Sequence, residues 1–339
     1  MSTHGAPAPE PPADVEGGRP QWLETGLAAA RAIPVVWVLL IVVFVWISFE
    51  DQNFLTPEGF LAYLKTSAPL AILAIGAYFV LASGEFDLSV GSLVTVIAVV
   101  AAKQIDGDPS NTVPTIILLF AIGAAVGLFN GFATTILKVP SFIVTLAMLL
   151  ILNGAVFLWT GGAPVGDLAD NFRAIGREGI EGFPILGELP YSAVVLIACA
   201  VIAVIAARGS FGRRILAVGD NARAAGLSGV NVTRVKTAAF VISATSAVIA
   251  GILLAGFAGV TSQVGIGLEF QAITAAVLGG VVLGGGRGSV MGAVAGALVL
   301  EALFKVLNLY GVDRAFEQAF TGLVIVAAVS VAAFRVRGG

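Results

Sequence analysis

Two carboxylates, Glu85 and Asp87, stand in the stretch Gly84-Glu85-Phe86-Asp87-Leu88-Ser89-Val90-Gly91, between two apolar runs. Acids beside a lipid-crossing segment are costly to desolvate and need a partner or water. Asp87 is placed to cap the helix that starts after it, its carboxylate accepting N–H groups of the first turn; the rival role is direct participation in moving a solute. Glu85 has no neighbour in sequence to pair with, so it faces cytosolic water or meets an arginine brought close by the fold. Asn130 and Asn153 lie inside apolar runs and each requires a hydrogen-bond partner, on a neighbouring helix or in a polar path. Glu301 and Lys305 are four residues apart with the acid first, the spacing that lets them pair on one helical face. In the second half, Gly279-Gly280-Val281-Val282-Leu283-Gly284-Gly285-Gly286-Arg287-Gly288-Ser289 supplies backbone bends and close helix approach. These positions give a set of path or gating residues: Glu85, Asp87, Ser89, Asn130, Asn153, Gly279 and Gly280.

Other chemistries find little to work with. The glycine-rich run lacks the GxxxxGK[ST] phosphate loop, so nothing in the chain binds ATP by that motif. The one histidine, His4, and the one cysteine, Cys199, give no histidine/cysteine metal site, no redox pair and no nucleophile with a histidine base. No catalytic role and no bound cofactor are expected. A proton relay through Glu85, Asp87 or Glu301 stays open as a minor alternative, because acids within the helices are scarce for a cation-coupled transporter.

The one strongly basic interval runs from Arg208 to Lys236, with Arg208, Arg213, Arg214, Arg223, Arg234 and Lys236 against the single acid Asp220. Lys and Arg accumulate on the cytosolic side of a membrane protein. Asp220 is expected to cap a short helix through Asn221 to Ala225 that ends near Gly229. That helix is either where a soluble partner pushes or part of a loop that only fixes topology.

The elements that must hold these residues follow from composition. Of 339 residues, 58% are hydrophobic and 12% charged, with a mean hydropathy of +0.99, whereas soluble domains carry about a quarter charged residues. The chain therefore reads as an all-α polytopic membrane protein of about ten transmembrane helices, some short or broken by glycine. Spans are expected at 33–49, 68–83, 88–102, 113–136, 142–159, 191–206, 237–257, 271–283, 290–306 and 320–334, with a short interfacial helix over 57–64. Alternating them from a cytosolic N-terminus puts twelve cations inside (Arg19, Arg31, Lys138, six in the basic interval, Arg287, Arg335 and Arg337) and five outside (Lys65, Lys103, Arg173, Arg177 and Arg314), which favours both termini in the cytosol. The third and eighth spans are short for a full crossing, so they extend into their flanks or are re-entrant. Residues 1–30 read as a disordered cytosolic tail without the apolar core of a signal peptide, residues 31–335 as one transmembrane domain, and 336–339 as a cytosolic tail.

Several segments together resemble the permease subunits of bacterial ABC importers for monosaccharides, of the ribose/xylose/arabinose/galactoside type. They are Pro69 to Gly76 with Gly84 to Ser92, Gly127-Leu128-Phe129-Asn130-Gly131, Lys138 to Leu146, Thr160-Gly161-Gly162, and Phe211 to Asn221 followed by Ala222 to Leu227. The resemblance covers nearly all of 53–334. It implies an inner-membrane pair of permease subunits forming the path for a monosaccharide and a periplasmic binding protein delivering it. It also implies a separate cytosolic ATPase, carrying ATP and Mg, docked on the coupling loop 208–236 through Arg213, Arg214, Asp220, Asn221, Arg223 and Leu227. Another small polar solute, such as a nucleoside, a polyol or an autoinducer-like furanose, is the alternative cargo, and an ion-coupled secondary transporter the more distant one. Glu85 departs from the paired glycines common in that family, as do the apolar Val281-Val282-Leu283 from its polar residues.

Overall fold

The protein is described by a computed structural model over residues 35–163, 166–183, 187–261 and 263–312, with 316, 319–324 and 326. The expected N-terminal tail with His4, Arg19 and Arg31, Arg314, most of the tenth span and the C-terminal tail lie outside the described residues.

After α1 (Val35–Glu50), Thr56 opens α2 (Pro57–Ala82) by accepting the Gly59 N–H, and Pro57 fills the first helical position, where no N–H is needed. α2 runs on for 26 residues and carries Pro69 in its interior. The separate interfacial helix expected over 57–64 is therefore the first two turns of this element. The chain continues through α3 (Val90–Ile105), α4 (Thr112–Thr135) after a 3-10 turn, α5 (Ser141–Thr160), α6 (Asp170–Arg177), α7 (Tyr191–Arg208), α8 (Ser210–Asp220), α9 (Ala222–Leu227), α10 (Val232–Ala258), α11 (Leu268–Leu278) and α12 (Val290–Leu309). Between α6 and α7, an antiparallel hairpin pairs β1 (Gly179–Phe183) with β2 (Gly187–Pro190), Gly179 opposite Pro190. This hairpin is the one sheet among the described residues of an otherwise helical chain.

Among the described residues, six helices are long and apolar enough to cross a membrane: α2, the 109–135 segment containing α4, α5, α7, α10 and α12. The shorter apolar helices are α1, α3 and α11. At about 1.5 Å per residue, the 11 residues of α11 rise only about 16 Å, roughly half the hydrocarbon thickness. Of the ten crossings expected from hydropathy, six are clear among the described residues. The short α3 and α11 are buried in protein, the setting in which a broken membrane helix is tolerated.

Buried α2, α3, α10, α11 and α12 form the centre, while α4, α5 and α7 turn apolar faces such as Ile117, Leu150, Ile151 and Ile202 outward. α10 is the spine. Gly123, Gly127 and Gly131 line one face of α4 at helical spacing, and a Cβ on any of them would meet α10 within 2.3–2.8 Å, at Val248, Val241 and Thr237 respectively. Small residues substitute here for the hydrophobic driving force that helices in lipid lack.

The turns collect at two ends. One end gathers 83–89, 136–140, 208–232 and 279–289. The other gathers the α1–α2 turn, the α3–α4 turn, α6 and the hairpin, joined by Lys305–Asp51 at 3.1 Å, Thr112 Oγ1 donating to Asn171 Oδ1 at 2.8 Å, and Lys65 donating to the Arg177 carbonyl.

Candidate functional site

The α2–α3 break is a polar knot in an apolar bundle. Asp87 Oδ1 accepts the Ser89 N–H at 3.0 Å and the Ser89 hydroxyl at 2.6 Å, and Asn130 Nδ2 donates to Ser89 Oγ at 2.9 Å. The knot joins α4 to the break. Asp87 therefore holds the residue preceding α3 rather than the N–H groups of its first turn, as helix capping had led us to expect. Glu85 meets Lys236 Nζ at the start of α10, with side chains only 14% and 17% exposed. The partner is a lysine where an arginine was one of the expectations. Ser141 Oγ accepts the Phe86 N–H at 3.1 Å, so α5 holds the same break.

The α11–α12 break lies beside it. Gly279 packs against the α12 backbone, where a Cβ would come within 2.1 Å of the Gly292 carbonyl. Gly280 turns the chain with φ +90°. The Gly286 N–H donates 3.0 Å to the Ala82 carbonyl, satisfying an end group of α2 from the other half of the chain.

Gly219, near the end of α8, wedges between the two breaks. A Cβ there would lie 1.9 Å from Ala82 O and 2.5 Å from Gly286 N, and one on Gly285 would lie 2.8 Å from both Gly219 Cα and Gly84 N. Three backbones thus touch where only glycine fits: the α2–α3 turn, the α11–α12 turn and the end of α8. Any displacement of α8 bears directly on both breaks, because packed backbones transmit strain.

Beyond Gly219 the basic interval is exposed. Asn221, not Asp220, caps α9, accepting the Ala224 N–H at 2.9 Å. Asp220 is the last residue of α8, because its backbone remains helical and the chain turns extended only at Asn221. Arg213, Arg214, Asp220, Asn221 and Arg223 are exposed, and Leu227 is 85% exposed. Asn231 caps α10 through the Arg234 N–H at 3.0 Å, so α8 and α9 form a braced cap between α7 and α10.

At the opposite end a groove of about 1140 Å³ opens between α2, α10, the 259–267 loop, α11 and α12. Tyr63, Phe257 and Phe304 offer aromatic surface, and Gln263, Gln271 and Asn308 offer amides. Its charged lining includes Lys65, which donates to Arg177 O, and Lys305, paired with Asp51. Lys305 makes an ion pair across to Asp51 in the α1–α2 turn, and Glu301, one helical turn before it, lines the groove. On the same end, Arg173 binds Asp167 at 2.6 Å, and with the Leu168 N–H it holds the Asp167 carboxyl below the usual carboxylate range. Asp167 thus stays ionised, and the bridge intact, until pH falls below that range.

The structure unites Glu85, Asp87, Ser89 and Asn130 at one break and Gly279 and Gly280 at the other. Asn153 stands apart, half-buried on α5. Sequence reasoning missed Gly219, Ser243, Glu269 and the groove. Gly219 sits in an ordinary Val-Gly-Asp run and Ser243 in a small-residue helix. Glu269 carried a signal, an acid leading an apolar run; the groove exists only once α2 and α10–α12 are packed.

The family profile described as "Branched-chain amino acid transport system / permease component" matches residues 59–329. The autoinducer 2 import system permease protein of Escherichia coli O9:H4 is 32% identical over 289 residues, 85% of this chain and 83% of that one. The ribose import permease protein of Escherichia coli K12 is 34% identical over 316 residues, 93% of this chain and 96% of that one. No solved structure matches the chain.

Proposed function

Because the chain belongs to this family of transport-system permease components, we propose that it is the membrane-spanning subunit of an ABC importer for a monosaccharide. In this reading it pairs with a second permease copy in a bacterial inner membrane. Both termini are cytosolic in this reading. The observation that carries the mechanism is the Gly84–Gly219–Gly285 contact: an exposed basic cap is in backbone contact with both helix breaks of the core. A cytosolic ATPase engaging α8 and α9 moves that contact. It shifts the path between inward- and outward-open states to the extent that it binds one state better.

The cap supports a protein partner by its chemistry. Leu227 exposes an apolar side chain among Arg213, Arg214 and Arg223, the mix of an apolar anchor and a charged rim that protein interfaces use. Converting Arg223→Glu together with Leu227→Asp is expected to lower recovery of the ATPase on purification by tenfold or more, about 1.4 kcal/mol, while the bilayer-embedded fold is unchanged by circular dichroism. Full association of the folded double variant would reject this docking surface.

The groove supports a sugar as cargo. Aromatic faces with amide donors and acceptors suit a neutral polyhydroxylated ring, and the relatives reported above import ribose and autoinducer 2. A branched-chain amino acid needs a cation for its carboxylate, and both lysines of the groove are engaged elsewhere. A furanose of the autoinducer type shares the polyol chemistry and is the second reading. With its ATPase and the periplasmic binding protein, the reconstituted chain is expected to take up a pentose and not leucine. Gln271→Leu is expected to reduce that uptake about tenfold, since it leaves the sugar hydroxyl facing it unpaired. Uptake of leucine alone would reverse the assignment of cargo.

A further inference from the structure

Directly under the groove, the chain dips back into the bundle. The 259–267 loop is tied to α3 by the Gly265 N–H donating 3.0 Å to Thr95 Oγ1. The half-length helix α11 starts there from Gly267, φ +87°. Glu269, in its first turn, is 6% exposed, and its Oε2 lies where a Cβ of Gly91 would be, 2.0 Å from that ideal position. Gln271 and Leu268 face the groove, whereas Glu269, Ala272 and Ile273 face a second, much smaller cavity on the other side of the helix.

That cavity has about 10 Å³ of free space, close to the minimum that seats one water molecule. Its polar wall is made by Asp87 from the α2–α3 break, Ser243 from α10 and Glu269 from α11; the rest is apolar, with Ala77, Val80 and Leu81 of α2. Asp87 is 6% exposed and Ser243 1%. Asp87 Oδ1 is saturated by Ser89, but Asp87 Oδ2 and Ser243 Oγ have no hydrogen-bond partner. Two carboxyl groups therefore share a pocket with two unpaired polar atoms. No cation lines it: the lysine of the adjoining break, Lys236, is engaged by Glu85.

Two carboxylates cannot both be ionised in such a place, since each lacks solvent and each raises the cost of charging the other. We propose that Asp87 and Glu269 hold a single proton between them, through one internal water, and that this proton latches the α2–α3 break to the start of α11. The hydrogen bonds choose its position. A proton on Asp87 Oδ2 turns that oxygen into a donor while Oδ1 keeps both Ser89 bonds. The water accepts from Asp87 Oδ2–H and from the Ser243 hydroxyl, and donates to the Glu269 carboxylate. That anion is faced by the backbone N–H groups of Gly267 and Glu269 at the helix start. Every polar atom of the cavity is then satisfied. Removal of the proton puts a second negative charge in the pocket and forces the two elements apart, so the latch is a gate between the groove above and the breaks below.

Infrared spectroscopy of the full chain in lipid at neutral pH tests this directly, because an ordinary aspartic acid, with a pKa near 4, shows no protonated C=O band there. A protonated-carboxyl band that shifts in D₂O is expected in the wild type. It is expected to be lost in Asp87→Asn, which keeps the shape and donor of the neutral acid and so folds with an unchanged unfolding midpoint. Asp87→Ala is expected to lose the band and to unfold at a lower temperature. A wild type without the band, measured with no variant at all, would overturn the proposal, as would a band that survives Asp87→Asn.

Discussion

Replacing Gly219 by alanine is expected to reduce ATP-driven uptake by tenfold or more while leaving the protein inserted and bound to its ATPase. The added Cβ would lie 1.9 Å from Ala82 O and 2.5 Å from Gly286 N, and both obstacles are backbone, which cannot rotate away. Overpacking of this kind costs about 1–3 kcal/mol. That is the size of a typical coupling energy between sites and equals about 5–150-fold in an equilibrium. The cost falls on the contact between α8 and the two breaks, and not on the exposed face of α8–α9, so docking survives while transmission fails. Gly154→Ala is the control: nothing lies within 4 Å of a Cβ on Gly154 in α5, and alanine there is neutral or improves the helix by up to about 1 kcal/mol. Uptake is read in proteoliposomes alongside ATPase activity. Equal uptake by Gly219→Ala and Gly154→Ala would remove the glycine contact from the mechanism.

The second large effect is expected at the Glu85–Lys236 pair. Both side chains are mostly buried, at 14% and 17% exposure, so removing one partner strands the other charge. Breaking a buried pair in this way costs about 3–5 kcal/mol. Lys236→Met should thus lower the thermal unfolding midpoint sharply, and Glu85→Gln combined with Lys236→Met should recover most of the loss, because no charge is then left unpaired. The comparison isolates the stranded charge from the lost packing of the lysine stem. If the single and double variants are equally destabilised, the pair acts through shape and not through charge. The pair ties α10 to the α2–α3 break.

Much of this architecture is legible in the sequence because lipid imposes it. Apolar runs had to become helices, and the basic interval had to lie at one end of the bundle; α8 and α9 are there. Polar residues inside apolar runs had to find partners, and Asn130 and Asp87 found each other through Ser89. What hydropathy could not separate was a crossing from a half-crossing. The 271–283 run carries no charged residue, yet α11 stops at Leu278 and starts inside the bundle against Gly91, because burial by neighbours satisfies a broken helix as well as lipid satisfies a whole one. The 57–64 segment failed for the opposite reason. Its polar side chains suggested an interfacial piece, but Lys65 reaches out to Arg177 O and lets α2 run through. Capping reasoning missed by one residue at Asp220 and Asn221, as it must when two adjacent residues are both good caps. Pairings distant in sequence, such as Lys236 with Glu85, Lys305 with Asp51 and Asp87 with Glu269 across their cavity, depend on helix packing and carry no local signal.

The central claim is that this chain is a path driven from outside itself, through the α8–α9 cap. Uptake of labelled monosaccharide into proteoliposomes, with binding protein and ATP supplied and the cytosolic ATPase either present or absent, tests it most directly. Accumulation against a gradient is expected only when the ATPase is present, and is expected to vanish with the Arg223→Glu and Leu227→Asp cap. Sustained accumulation by the chain alone, without any nucleotide-hydrolysing partner, would contradict it.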